Sequence, residues 1–200
     1  MTGIITADIV NSGSLDAGLW LPGLKRTLRK YGKEPVIWEI YRGDSLQLEV
    51  IPEKALEAAL HLKTTVKQFA KLDIRTAIGI GEVTFRSGKI TESNGSAFVH
   101  SGKCFEQMKK QTLAIKTPWS EFDSQLSIMF RLASLTINNW SSVIAGIIKG
   151  AIENEKANQK QLAEILNIKQ SNISRGLSRG GYYEIMELNT FYKNNIKLRC

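Results

Sequence analysis

Strand-type patterning ends at Thr117, and from Ser120 onwards the chain is patterned for helices alone. That switch limits the fold to a mixed front part followed by an all-helical back part. In the front part, Thr2–Val10 is apolar and β-branched, as a buried strand requires. Leu15–Tyr31 carries Leu15, Leu19, Leu24 and Leu28 at roughly helical spacing and stops at Gly32. Pro35–Tyr41 and Ser45–Ile51 are two short strands, with only Arg42-Gly43-Asp44 between them, a tight hairpin signal. Pro52 opens a helix that runs towards Leu72. Ile74–Val83 returns as a strand containing Gly79 and Gly81, a helix follows near Ser96–Lys110, and Leu113–Thr117 adds an edge strand.

The order β-α-β-β-α-β is the split βαβ, ferredoxin-like arrangement. It predicts an α+β fold: an antiparallel sheet with helices on one face, followed by an all-α part. Phe122–Leu135 and Asn139–Lys156 read as the first two helices of that part. The expected division is residues 1–118, a connecting helix at 119–138, and a helix-turn-helix domain at 139–200.

The helix-turn-helix expectation rests on Gln159–Leu177. Ala163 stands where two helices approach and only a small side chain fits. Asn167, four residues later, suits a turn residue in the left-handed region. Leu162, Leu166, Ile168, Ile173 and Leu177 supply a small core. The second helix, near Gln170–Arg179, then exposes Lys169, Gln170, Ser171, Asn172, Ser174, Arg175 and Arg179. Such side chains contact phosphates and base edges. Gln170 and Asn172 are the expected base readers, with Lys169, Ser171 and Arg175 on phosphates. No acidic residue occurs from Ile165 to Tyr183. The plain alternative is a helical hairpin that only packs. Tyr182–Asn194 reads as a further packing helix.

Net charge agrees with a polyanionic partner. The chain carries +8, from 27 basic and 19 acidic residues. Ile137–Cys200 holds nine Lys/Arg against five Asp/Glu, so this third is about twice as positive per residue as the rest. No stretch approaches the roughly 18 apolar residues of a membrane span, and the N-terminus lacks a basic signal-peptide region. A cytoplasmic protein with no membrane partner is expected. Cys104 and Cys200 are expected as free thiols, and His61 and His100 share no metal-ligand spacing with them.

Four segments of the front part carry a family resemblance. Ile4-Ile5-Thr6-Ala7-Asp8-Ile9-Val10-Asn11-Ser12 is similar to the first strand of class III nucleotidyl cyclases. Tyr41-Arg42-Gly43-Asp44-Ser45-Leu46-Gln47 resembles their Gly-Asp hairpin, which diguanylate cyclases also have. Asp73–Gly81 is similar to the strand that follows, and Glu92–Phe98 to the next loop and helix. Order and spacing match over residues 3–107. With the C-terminal helix-turn-helix, the whole resembles the bacterial SatD-like group, which pairs a cyclase-like palm domain with such a tail.

The resemblance implies a nucleotide and metal site. Asp8, near the end of a central strand, and Asp44, at the hairpin, are expected side by side. Two neighbouring carboxylates repel, and a divalent cation resolves the repulsion. Mg²⁺ or Mn²⁺ on Asp8, Asp44 and the Ile9 carbonyl would bridge triphosphate oxygens. Val10, Asn11 and Ser12 would cradle the phosphates, and Gly43 would let the hairpin approach them. Arg42 and Arg75 are either phosphate contacts or surface charge. The plain alternatives are a strand-end cap for Asp8 and an ordinary turn residue for Asp44.

One departure bears on catalysis. Cyclases carry an Asn and an Arg on the last helix, whereas Phe98–Met108 has neither and offers only Lys103. The expected function is therefore a DNA-binding transcriptional regulator with a nucleotide- and metal-sensing domain. The alternative is a cyclase-like enzyme that makes a cyclic or oligonucleotide signal from a nucleoside triphosphate. A homodimer is expected in either case.

Overall fold

β1 (Thr2–Val10) is the central strand of a five-stranded sheet, paired antiparallel to β3 (Ser45–Val50) on one side and β4 (Asp73–Gly81) on the other. The computed structural model describes residues 1–200. The strand order is β2-β3-β1-β4-β5, with β2 (Trp38–Tyr41) at one edge and β5 (Leu113–Lys116) at the other. The fold is α+β. The first four strands follow the expected split βαβ order, although β2 starts only at Trp38, because Pro35–Ile37 lies in a turn.

Two features depart from the expectation. β5 runs parallel to β4, so the sheet is mixed rather than antiparallel. A parallel return requires a crossover, and α3 (Ser96–Gln107) supplies it across one face of the sheet. Helices therefore cover both faces. Side chains alternate along β1: Ile5, Ala7 and Ile9 join the large core on the side of α1 (Ala17–Leu28) and α2 (Ala55–Lys67). Ile4 joins Ala97 and Phe98 of α3 on the other side. Gly79 and Gly81 make that second layer fit. A Cβ at Gly79 would collide with the Ala97 carbonyl oxygen, and one at Gly81 would lie 2.6 Å from the Ala97 nitrogen.

The helical tail continues with α4 (Ser120–Ile137), α5 (Ser142–Glu153), α6 (Gln159–Leu166), α7 (Gln170–Arg179) and α8 (Tyr182–Lys197). α5 packs on α2, and α7 packs on α5. α8 returns to the front part, where the buried Tyr192 hydroxyl donates to the Pro52 carbonyl at 2.8 Å. One apolar cluster runs from Ile5 and Ile9 through α2 and α5 to Ile173, Leu177 and Ile196. Sheet and tail thus share a core. No helix is long and apolar enough to cross a membrane, and both cysteines are free.

The seam between sheet and tail also holds a set of buried polar groups that partner one another, as the low dielectric favours. His61 of α2 bonds the Tyr31 hydroxyl at 2.8 Å and Glu153 of α5 at 3.0 Å. Glu153 also pairs with Lys30 at 2.8 Å and Lys149 at 2.7 Å. Burial alone would raise the Glu153 carboxyl, but hydrogen bonds from Lys149, Lys30 and His61 outweigh it and bring its pKa down to about 2. The buried Lys63 pairs with Asp73 at 2.6 Å and donates to Asn138 at the end of α4.

Candidate functional site

The turn between α6 and α7 follows from local chemistry. Asn158 caps α6 by accepting from the Lys160 and Gln161 amides, both at 3.0 Å. The Gln161 side chain accepts in return from the Asn158 amide at 2.9 Å, a complete capping box. α6 ends at Asn167, which holds φ 53° and ψ 45°, the left-handed conformation in which Asn is among the tolerated residues. The chain then turns through Ile168, whose amide donates back to the Ala163 carbonyl at 3.0 Å. Leu162, Ala163, Ile173 and Leu177 are buried in the angle.

α7 presents its polar side outward. Lys169, Gln170, Ser171, Asn172, Ser174, Arg175 and Arg179 are all exposed. The Arg175 guanidinium folds back along the helix, donating to Asn172 Oδ1 at 2.8 Å and to the Ser171 carbonyl at 3.2 Å. The opposite side of α7 is seated on α5. A Cβ at Gly176 would strike the end of Ile147, and one at Gly180 would lie 2.5 Å from Ile148 Cδ1. The Trp140 indole donates to the Gly180 carbonyl at 2.8 Å. Two glycines and a tryptophan therefore fix how far α7 stands out from the body.

Two of the second group of candidate residues, Asp8 and Arg75, lie on the α3 side of the sheet. Register places Tyr41, Ser45, Asp8 and Arg75 in one row across β2, β3, β1 and β4. The Ser45 hydroxyl donates to Asp8 Oδ1 at 3.1 Å. Asp44 immediately precedes Ser45. Its carbonyl accepts from the Ile9 amide at 3.1 Å, and its carboxylate accepts from the Ser12 hydroxyl at 2.7 Å. The Asp8 carboxyl is raised above the usual range. Burial is the main cause and the nearby Asp44 charge adds to it, while the Ser45 hydrogen bond and Arg75 act the other way. No group of three or more His, Cys, Asp or Glu side chains converges anywhere as a metal cage.

The surrounding loops leave room. Asn11 adopts φ 61°, its side chain donates to the Lys71 carbonyl, and Ser12–Ser14 form a single 3₁₀ turn. Arg42 and Gly43 hold φ 54° and φ 90° at the hairpin tip, and Arg42 is exposed there. A Cβ at Gly13 or Gly43 would meet nothing within 4 Å. Val10 is half-buried at the end of β1. Arg75 is placed differently from a free phosphate contact. Its Nη2 donates to the carbonyls of Met108 at 3.1 Å and Phe105 at 3.4 Å, and its guanidinium lies over the Phe105 ring. It caps the C-terminal end of α3, where a cation is favourable.

No family model matches the chain, and no curated protein matches its sequence. The chemistry of both surfaces rests on the residues themselves. Among those, sequence reasoning missed Tyr41 and Gln47. Tyr41 stands in the Asp8 row, its hydroxyl pKa raised by burial. Gln47 pairs opposite Thr6 one step further along β3, and its buried amide oxygen has no partner. The period of two along β3, counted from Ser45, is the available signal for Gln47. Gly176 and Gly180 were also missed. Glycine in the interior and at the end of a helix was the sign of close packing.

Proposed function

We propose that this chain is a DNA-binding transcriptional regulator of the bacterial cytoplasm, acting as a homodimer, with a SatD-like pairing of a cyclase-like palm and a helix-turn-helix. The observation that carries the reading is α7. It is a helix entered through a left-handed Asn167, seated by glycines on one side, with its exposed side free of acidic residues and rich in amide, hydroxyl and guanidinium donors. α7 is the recognition helix. Gln170 and Asn172 read base edges, and Lys169, Ser171, Ser174, Arg175 and Arg179 grip phosphates. Arg175 releases Asn172 when it moves to a phosphate.

Fluorescence anisotropy with duplex DNA at two salt concentrations tests this. Lys169→Ala and Arg175→Ala should each weaken binding to all sequences and lower the slope of log affinity against log salt by about one. Gln170→Ala and Asn172→Ala should cost roughly 1–3 kcal/mol on a preferred site and little on random DNA. Wild-type protein that shows no salt-dependent binding to any duplex would end the reading.

The palm part of the proposal is that Asp8, Asp44 and the Ile9 carbonyl hold Mg²⁺ or Mn²⁺. Val10, Asn11, Ser12, Gly43 and Arg42 then receive the phosphates of a nucleotide that sets DNA affinity. The raised Asp8 carboxyl supports it, because a cation would relieve the Asp8–Asp44 repulsion. The same pair supports a second reading, a cyclase-like enzyme acting on a nucleoside triphosphate. The commitment of Arg75 to the end of α3 weighs against that reading, since it removes the guanidinium nearest Asp8 from the reacting phosphates. A thermal-shift screen of nucleotides with and without Mg²⁺ or Mn²⁺ separates the cases. A saturating ligand at a hundredfold excess over Kd should stabilise by about 2.7 kcal/mol. Asp44→Ala should abolish the metal-dependent part, and product formation would favour the enzyme.

A further inference from the structure

A shallow groove of about 660 Å³ runs between α4 and α8 and opens beside the last residues of α7, Ser178 and Arg179. Met129, Leu132, Ala133, Ile185, Leu188 and Phe191 line its apolar part. At its α4 wall, with Leu132 shared, the groove is edged by an apolar ridge. Ile128, Leu132 and Leu135 are 54%, 62% and 71% exposed, and their spacing of four and three puts them on one side of the helix. The other side of α4 buries Phe122, Leu126, Phe130 and Ile137. α4 thus carries one apolar stripe for its own core and a second stripe that its own chain leaves uncovered. Monomeric proteins seldom expose a continuous stripe of this kind.

The charges around the groove complement one another. Arg131 stands on α4 beside the ridge, and Glu184 and Glu187 stand on α8 at the groove rim, all exposed. None of the three belongs to an ion pair in its own chain. A surface that offers a ridge, a groove, a free cation and free anions side by side is self-complementary. A two-fold contact requires this, because each patch must then face its own copy.

We infer that the α4 ridge of one protomer seats in the α4–α8 groove of a second copy, and reciprocally, with Arg131 facing Glu184 and Glu187 across a two-fold axis. Ser178 and Arg179 line the groove, so this axis passes near the C-terminal ends of both α7 helices. The residues from Lys169 to Asn172 then point away from it, as two half-sites on one face of a duplex require. The inference rests on the homodimer part of the proposed function and names its surface. The contact itself stands on α4 and α8 alone.

Sedimentation velocity on the full chain, from low to high micromolar concentration, tests it. Wild type should form a dimer. Leu132→Glu with Leu135→Glu should raise the dimer dissociation constant at least about tenfold. Both positions are exposed, so the circular dichroism spectrum should not change. Arg131→Glu and Glu187→Arg should each weaken the dimer, and together they should recover most of the loss, which a misfolded variant would not do. Wild type that stays monomeric throughout overturns both the dimer and its surface. A wild-type dimer indifferent to the ridge variant and to both charge changes overturns the surface alone. Binding of the ridge variant to a single half-site is read separately by anisotropy. Normal salt dependence there shows that the DNA reading stands apart from the dimer contact.

Discussion

α6 and α7 build their exposed surface from one contiguous run of residues, whereas the row through Asp8 takes one residue from each of four strands. The cap, the turn and the exposed donors of the helical pair are set within Asn158–Arg179. The carboxylate row depends on register, and a one-residue slip of β3 would turn Ser45 and Gln47 to the other face. The packing contrasts in the same way. On the sheet, α3 rests on β4 backbone against backbone. In the tail, α7 rests on α5 through the flexible ends of isoleucine side chains. The sheet surface should therefore tolerate change poorly, and the helical surface should adapt.

The largest expected effect breaks the rigid half. In Gly79→Ala the new methyl group meets the Ala97 carbonyl and the Ser101 amide, backbone that cannot step aside. Unfolding in urea should show a loss of about 3 kcal/mol or more. A loss below about 1 kcal/mol would mean that α3 floats on the sheet.

Next comes the seam. Glu153→Gln leaves Lys30 and Lys149 without their shared carboxylate and should cost roughly 2 kcal/mol at neutral pH. The wild type should show the matching pH dependence. The Glu153 pKa is depressed in the fold from an ordinary 4.5 to about 2, so its contribution is complete above 4.5 and is lost as pH falls towards 2. His61 is depressed by burial, against the opposing Glu153 hydrogen bond, so protonation costs stability as pH drops below its ordinary 6.5. Both act in the same direction. Denaturation midpoints should fall from pH 7 to pH 3, and less steeply in the Gln variant below pH 4.5. Parallel curves for the two proteins would exclude Glu153 as the acid-sensitive tie.

Tyr192→Phe is smaller. It removes the hydroxyl that donates to the Pro52 carbonyl and should cost about 1 kcal/mol by chemical denaturation. A neutral result would mean that α8 is held by apolar contact alone. The smallest effect is expected at Gly176→Ala in α7. Its methyl group meets only the movable end of Ile147, and alanine regains about 1 kcal/mol of helix propensity over glycine. Net stability should stay within about 1 kcal/mol of wild type. A loss as large as that at Gly79 would erase the contrast between the two halves.

Much of this was legible in the chain. The order of the first four strands follows from short apolar, β-branched runs and the hairpin at Arg42–Asp44. The α6–α7 turn follows from Ala163 and Asn167, because caps, left-handed turns and local apolar spacing act over a few residues. The sequence by itself determined these elements and the exposed polar run of α7. Only the tertiary structure decided that α3 lies on the opposite face, that β5 joins in parallel, and that Arg75 caps α3 rather than standing free. It likewise decided that α5, with Gly176 and Gly180 against it, docks the tail on α2. The physical reason is distance along the chain. Each of these outcomes is a contact between segments far apart in sequence, set by which surfaces fit once both are formed, and no local propensity encodes it.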